Sequence, residues 1–131
     1  MILMDTHVFL WFQLGDKKLE VKNINKLIKA HECNELFLSA ISIWEIAMLE
    51  RVGRIAFHQP LLNWFNEATK GINVIPIDTK ISLESVMLPN LHHKDPTDRF
   101  IIATTRIINC RIMTYDKAII NYAKSGYIKI A

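Results

Sequence analysis

Residues 2–14 read ILMDTHVFLWFQL, and this stretch decides the fold. Its first three residues form an apolar run that is too short for a helix and is typical of a buried strand. The residues from His7 to Leu14 predict a first helix, which Gly15 ends as a C-terminal cap. Asp5 lies at the junction of strand and helix. A carboxylate beside an apolar strand is costly unless hydrogen bonds or a positive charge compensate it.

The same alternation of strand and helix continues along the chain. Further strands are predicted at 36–38, 73–77, 111–114 and 127–130, and further helices at 17–31, 42–51, 61–69, 79–87, 97–108 and 117–123. Short apolar strands alternating with helices favour a parallel sheet covered on both faces. The predicted fold class is therefore α/β, an α/β/α sandwich with a central, mostly parallel sheet. Functional sites in such folds gather at the carboxyl ends of the strands.

The composition indicates one globular domain spanning residues 1–131. The chain is 50% hydrophobic and 22% charged, with a net charge of +3, a mild excess that permits an anionic partner without requiring one. Cys33 and Cys110 have no metal-binding spacing, and we expect both to be reduced thiols. With no signal peptide and no apolar run long enough to cross a bilayer, we expect a cytoplasmic protein without a membrane partner.

Four acidic residues, each beside a predicted strand end or helix start, are the candidate functional residues. They are Asp5, Glu45, Asp98 and Asp116. Capping offers another explanation for most of them, because aspartate and threonine both cap helices well. For Asp5 and Asp116, the residues alone do not separate a cap from a functional carboxylate.

The same alternatives apply to the other two acids. Glu45 follows Ser42 by three residues, the spacing of a capping box, and taken alone this pattern favours a cap. Asp95-Pro96 predicts a helix N-cap followed by proline at the first helical position. Capping accounts for Asp95 but only in part for Asp98, because apolar residues follow Asp98 immediately and indicate a buried helix.

Capping does not explain why all four acids map to one rim of a parallel sheet. Carboxylates gathered there would repel one another without a cation. Oxygen-rich sites of this kind suit hard divalent ions such as Mg²⁺, which need no histidine ligand and which serve in phosphoryl-transfer chemistry. The sequence therefore predicts a divalent-metal site and a candidate phosphodiester-cleaving enzyme.

At these residues the chain resembles the PIN-domain ribonucleases, and more closely the VapC-type toxins of type II toxin–antitoxin systems. Four segments carry the resemblance in family order: MDTHVFLW at 4–11, SAISIWEI at 39–46, HKDPTDRFIIA at 93–103 and MTYD at 113–116. The resemblance implies a PIN-domain-like sandwich in which Asp5, Glu45, Asp98 and Asp116 bind Mg²⁺ or Mn²⁺. It also implies endonucleolytic cleavage of RNA by a metal-activated water, a homodimer, and a cognate antitoxin that blocks the site.

Two rival functions remain open at this point. One is a catalytically silent PIN-like module that binds RNA or protein. The other is a phosphoacceptor domain, which is disfavoured because residue 7 is histidine and the first strand carries no acids.

Histidines and aromatic residues give further hypotheses. His92 and His93 could act as general acids, although a loop pair beside a helix cap explains them better. Trp11, Phe12 and Trp44 could stack on RNA bases or simply pack within the protein.

Overall fold

The computed structural model describes residues 1–91 and 95–131. Its strands are Ile2–Met4 (β1), Leu36–Ser39 (β2), Asn73–Ile75 (β3), Arg111–Met113 (β4) and Lys129–Ile130 (β5). Its helices are Thr6–Leu14 (α1), Val21–Glu32 (α2), Ala40–Arg51 (α3), Leu61–Ala68 (α4), Thr79–Met87 (α5), Pro96–Ile107 (α6) and Lys117–Ala123 (α7). Each strand and helix predicted from the sequence is present, with differences at the ends.

The strands form one five-stranded sheet in the order β3-β2-β1-β4-β5, and all of its pairings are parallel. β1 is the central strand, with Met4 opposite Leu38 of β2 on one side and Met113 of β4 on the other. The predicted α/β class with a mostly parallel sheet is confirmed. Because the strands are parallel, the residues that follow β1, β2 and β4 all emerge at one edge of the sheet.

Helices cover both faces of the sheet, and alternate strand residues bury their side chains toward opposite faces. Met4 and Met113 belong to a core formed with α1, α2, α3 and α4. Leu3 and Ile112 belong to a second core formed with α5, α6 and α7. Side chains of successive strand residues point to opposite faces, so these short strands serve two cores at once. Fully burying such a side chain contributes about 1.5–3 kcal/mol.

Several ends differ from the predictions. α2 begins at Val21 rather than residue 17, because Leu19 is already buried in the preceding turn. β3 ends at Ile75, directly before Pro76, which has no backbone N–H to donate to a neighbouring strand. β5 is limited to Lys129–Ile130. The predicted cap at Gly15 is confirmed, since its φ of 65° lies in the left-handed region that favours glycine.

The longest helices of the described segments contain 12 residues. Such a helix spans about 18 Å, whereas the hydrocarbon core of a bilayer is about 30 Å thick. Within residues 1–91 and 95–131, no helix is long and apolar enough to cross a membrane.

Candidate active site

Asp5 and Asp116 lie side by side because β1 and β4 are neighbours. The backbone N–H of Asp5 donates to the carbonyl of Met113, the last residue of β4, at 3.1 Å. Asp5 also caps α1, where its Oδ1 accepts from the N–H of Val8 at 2.8 Å. Asp116 caps α7 and accepts from the N–H of Ala118 at 2.9 Å. Both aspartates are therefore helix caps, and the sheet brings the two caps together.

The Thr114 hydroxyl joins these two aspartates directly. It donates to Oδ2 of Asp5 and accepts from the backbone N–H of Asp116 at 3.0 Å. Thr114 is buried, as is Asp5, which is only 6% exposed. A buried hydroxyl that both donates and accepts fixes the positions of the two groups it contacts. The side chain of Asp5 is thus held by Thr114 on one oxygen and by α1 on the other.

A small cavity of about 100 Å³ opens at this edge of the sheet, and we call it the acidic cavity. The residues lining it are Asp5, Thr6, His7, Glu45, Asp95, Asp98 and Asp116. The structure thus brings together all four acids singled out in the sequence, although they come from four separate segments of the chain. It adds Asp95, which sequence analysis explained by capping alone.

The capping-box explanation of Glu45 is wrong. α3 begins at Ala40, and its N-cap is Ser39, whose hydroxyl accepts from the N–H of Ile41 at 3.2 Å. Ser42 therefore lies inside the helix, where its buried hydroxyl accepts a hydrogen bond of 2.9 Å from Thr6. With no capping role left, the half-buried Glu45 faces the acidic cavity from the side of α3.

The start of α6 contributes two acids, Asp95 and Asp98, to the lining of the acidic cavity. Asp95 caps the helix by accepting from the N–H of Thr97 at 3.0 Å, and Pro96 occupies the first helical position, as predicted. Asp98 is half-buried in the first turn. A carboxylate there is favoured by the partial positive charge of the helix N-terminus.

Arg99 anchors this helix start to α5. Its guanidinium donates to the carbonyl oxygens of Ser85 at 2.7 Å, Val86 at 3.2 Å and Leu91 at 3.3 Å. Contacts between α5 and α6 are the most extensive of any two elements in the described residues. The position of Asp98 is therefore set by a helix pair that is firmly packed against the sheet.

The electrostatic environment of Asp5 is that of a crowded acidic site. Burial raises the pKa of its carboxyl above the ordinary value of 3.8. Hydrogen bonds from Thr114 and from the N–H of Val8 oppose that rise, as does the nearby charge of His7, while the negative charge of Asp116 adds to it. Strongly perturbed carboxyl groups inside a cleft are typical of functional sites.

The donor atoms of the acidic cavity fit a hard divalent cation in their chemistry. They are mainly carboxylate oxygens, with the Thr6 hydroxyl beside them, and this set suits Mg²⁺ or Mn²⁺ rather than zinc. Among residues 1–91 and 95–131, however, no group of three or more His, Cys, Asp or Glu side chains is arranged so that it could hold a metal ion as it stands. Asp5, Asp95 and Asp116 each accept a hydrogen bond from a neighbouring backbone N–H.

The remaining candidates are the histidines and aromatic residues named in the sequence analysis. His92 and His93 lie outside the described residues. Trp11 and Phe12 are half-buried on α1, whereas Trp44 is 56% exposed on α3. Sequence analysis did not single out His7 for the cavity, although its place two residues after Asp5, just inside the helix start, was the available signal.

Comparison with known proteins gives a matching family and a protein of similar sequence. A family model described as PIN domain matches residues 2–125. The chain is 29% identical over 116 residues to ribonuclease VapC22 of Mycobacterium tuberculosis (strain ATCC 25618 / H37Rv), covering 88% of this chain and 87% of that protein.

Two solved structures are similar in fold. A crystal structure of FitAcB from Neisseria gonorrhoeae has a TM-score of 0.65 at 17% identity, covering 99% of this chain and 96% of that one. A toxin–antitoxin complex from Klebsiella pneumoniae has a TM-score of 0.56 at 18% identity, covering 88% and 87% of the two chains. Identities this low support the shared fold and no more.

Proposed function

The chain belongs to the PIN-domain family, and on that premise we propose that it is a metal-dependent endoribonuclease of the VapC type, the toxin of a toxin–antitoxin pair. The observation that carries the proposal is the convergence of Asp5, Glu45, Asp98 and Asp116 on the acidic cavity. The similarity to a protein named ribonuclease VapC22 over most of both chains supports RNA as the substrate. Mg²⁺, or Mn²⁺ in its place, is the proposed cofactor.

A bound divalent cation would lower the pKa of water and stabilise negative charge on the phosphodiester. Asp5, Asp98 and Asp116 would hold the ion, and Glu45 would bind it through water or orient the attacking water. Thr114 holds the Asp5 carboxylate by a hydrogen bond and ties it to the backbone of Asp116. Asp95 fixes the start of α6 and thereby the position of Asp98.

Exposed apolar side chains support the proposed protein partners, a cognate antitoxin and a second copy of the chain. On α5, Leu83 is 60% exposed, Val86 76% and Met87 74%. Their spacing places them on one face of the helix, and contiguous exposed apolar patches mark interaction sites. One of the structural neighbours was solved as a toxin–antitoxin complex. Light scattering of the purified chain tests the homodimer, and co-purification with the product of an adjacent gene tests the antitoxin.

The decisive experiment measures cleavage of a single-stranded RNA by the purified protein. We expect cleavage with Mg²⁺ or Mn²⁺, none with excess chelator, and recovery when the ion is restored. Asp98→Asn should be inactive at any ion concentration. The matched control is Glu50→Gln, which removes a carboxylate of α3 that does not line the acidic cavity and should leave the rate unchanged.

The rival function gives a different result in the same assay. A catalytically silent binding module would retain RNA or a partner protein but would release no products with either ion. Cleavage that persists in chelator, or that is equal in wild type and Asp98→Asn, would show that the acidic cavity is not the catalytic site.

A further inference from the structure

An aromatic cluster stands directly beside the acidic cavity. It consists of His7, Trp11 and Tyr115, and we call it the aromatic platform. His7 lines the acidic cavity, and its ring lies 6.0 Å from that of Trp11, centroid to centroid. Trp11 in turn meets the ring of Tyr115 edge to face at 5.4 Å. The platform therefore begins at the acids and extends outward along α1.

The position of the platform follows from the chain. His7 and Trp11 are four residues apart on α1, so they lie on the same face of the helix. Tyr115 immediately precedes Asp116. The same two segments that supply Asp5 and Asp116 thus also supply the aromatic rings, and a substrate bound between those acids would continue over the platform.

Hydrogen bonds hold the Tyr115 ring of the platform in place, and none of the three rings is fully buried. The Tyr115 hydroxyl accepts hydrogen bonds from the side chain of Asn23 at 2.7 Å and from the N–H of Glu20 at 3.2 Å. His7 is exposed, and Trp11 and Tyr115 are half-buried. Rings held in place before a ligand arrives lose little conformational freedom when it binds. Aromatic rings that keep part of their surface in solvent can accept a stacked base.

A positive charge completes the arrangement. The Nζ of Lys18 lies 5.8 Å from the centroid of the Trp11 ring. A substrate with a phosphate backbone is repelled by the acids of the cavity, so basic groups beside the cavity are needed to hold the nucleotides on either side of the cleaved bond. Lys18 provides such a charge beside Trp11.

We propose that the aromatic platform and Lys18 bind an unpaired RNA nucleotide next to the cleaved phosphodiester, with its base stacked on one ring of the platform and its phosphate near the lysine. The inference rests on the proposed ribonuclease function and assigns to it a base-binding site beside the acidic cavity. A base within a duplex is stacked on its neighbours and cannot reach the platform. Every base offers a flat face for stacking, so the site accepts any unpaired base.

Binding is measured first, in the inactive Asp98→Asn background and with chelator, so that the RNA remains intact. Adding His7→Ala, Trp11→Leu or Lys18→Ala should weaken binding of a single-stranded RNA, with an effect of about 5- to 100-fold for Trp11. The matched controls are His58→Ala and Lys26→Ala, both at exposed positions outside the platform and the acidic cavity. Each control should bind as the background does.

Cleavage of RNAs with one base removed gives the second measurement. In the active protein, removal of one base next to the cleaved bond should slow cleavage, and removal of more distant bases should not. In Trp11→Leu and His7→Ala the same base removal should cause little further loss, because the base has already lost its contact. His7 is exposed, so His7→Ala keeps this test informative even if Trp11→Leu fails to fold.

The outcomes separate the inference from the proposed function. If the wild type cleaves RNA but the platform variants bind and cleave as the controls do, the inference is overturned and the ribonuclease function stands. If losses from base removal and from the variants simply multiply, the base is contacted elsewhere and the inference is again overturned. If the wild type fails to cleave with either ion, the proposed function fails, and the binding measurements decide the inference by themselves.

Discussion

Asp5 and Asp78 stand in the same local setting, since each follows a strand, precedes a threonine and begins a helix. Their capping bonds also match. Asp5 accepts from the N–H of Val8 at 2.8 Å, and Asp78 accepts from the N–H of Ile81 at 2.9 Å. Their surroundings differ completely, however. Asp5 is 6% exposed and lines the acidic cavity, whereas Asp78 is exposed to solvent and does not line it.

The difference comes from the order of the strands. β1 is central in the sheet, so the residue that follows it lies beside the residues that follow β4. Asp78 comes after β3, which is an edge strand that pairs with β2. The same local segment therefore makes a simple helix cap at the edge of the sheet and a candidate catalytic carboxylate at its centre. Local sequence specifies the cap, and long-range strand pairing specifies the site.

Catalysis should separate the two aspartates most strongly. Asp5→Asn should reduce the rate of RNA cleavage on the order of 10³-fold, because holding a catalytic cation contributes several kcal/mol to transition-state stabilisation. Asp78→Asn should leave the rate within about twofold, since asparagine caps helices as well as aspartate does. Single-turnover rates on one RNA would measure both. Similar losses in the two variants would mean that the burial of Asp5 has no catalytic significance.

Ion binding should show the same contrast through thermal stability. An ion that binds only the folded chain, at ten times its dissociation constant, stabilises the fold by about 1.4 kcal/mol, which corresponds to a rise in Tm of roughly 4–7 °C. We expect this rise with Mn²⁺ or Mg²⁺ for wild type and Asp78→Asn, and little or none for Asp5→Asn. Calorimetry with and without ion provides the measurement. A full rise in Asp5→Asn would place the ion elsewhere.

This contrast also shows how much the sequence could predict. The apolar runs and the glycine and proline positions suffice for the strands, the helices and the parallel sheet, because those signals are local. Asp98 and Asp116 could be selected as candidates because each stands at a helix start beside an apolar segment. The role of Glu45 was obscured by Ser42, whose spacing mimics a capping box although its hydroxyl bonds to Thr6.

Other features of the site depend on long-range contacts and have no sequence signal. Tyr115 and Asn23 meet through a hydrogen bond that joins the turn after β4 to α2. The hydroxyl of Thr114 reaches Asp5 only because β4 pairs with β1. The sequence therefore identifies which residues are acidic and where their elements begin, while strand order decides which of them meet.

The pH dependence of stability should reveal the cost of burying the charged carboxylate of Asp5. Burial raises the pKa of its carboxyl above 3.8 in the folded chain, so the folded state binds a proton more readily than the unfolded state. The stabilising contribution is complete below pH 3.8 and is lost as the pH rises through the folded pKa. Without metal, Asp5→Asn should therefore have a higher Tm than wild type at pH 7.5, by a few degrees.

That difference should shrink as the pH is lowered toward 3.8, where the wild-type carboxyl becomes protonated and the penalty disappears. Asp78→Asn serves as the control, because it removes a carboxylate that is exposed to solvent. Melting curves of the three proteins between pH 4 and 8, all with chelator, would measure the effect. A constant offset between Asp5→Asn and wild type across this range would show that the charge of Asp5 is not the cause.

Alanine at the two caps should give the smallest difference and the one that separates capping from charge. Asp78→Ala removes only a cap, which costs about 1 kcal/mol and lowers Tm by roughly 3–5 °C. Asp5→Ala removes an equivalent cap but also a buried carboxylate next to Asp116. The lost hydrogen bond and the relieved repulsion act in opposite directions, so without metal its Tm should fall less than that of Asp78→Ala. A larger fall at Asp5 would mean that the bonds from Thr114 and Val8 outweigh the burial of its charge. In that case the site would be stable without a cation, and the structural argument for the ion would weaken.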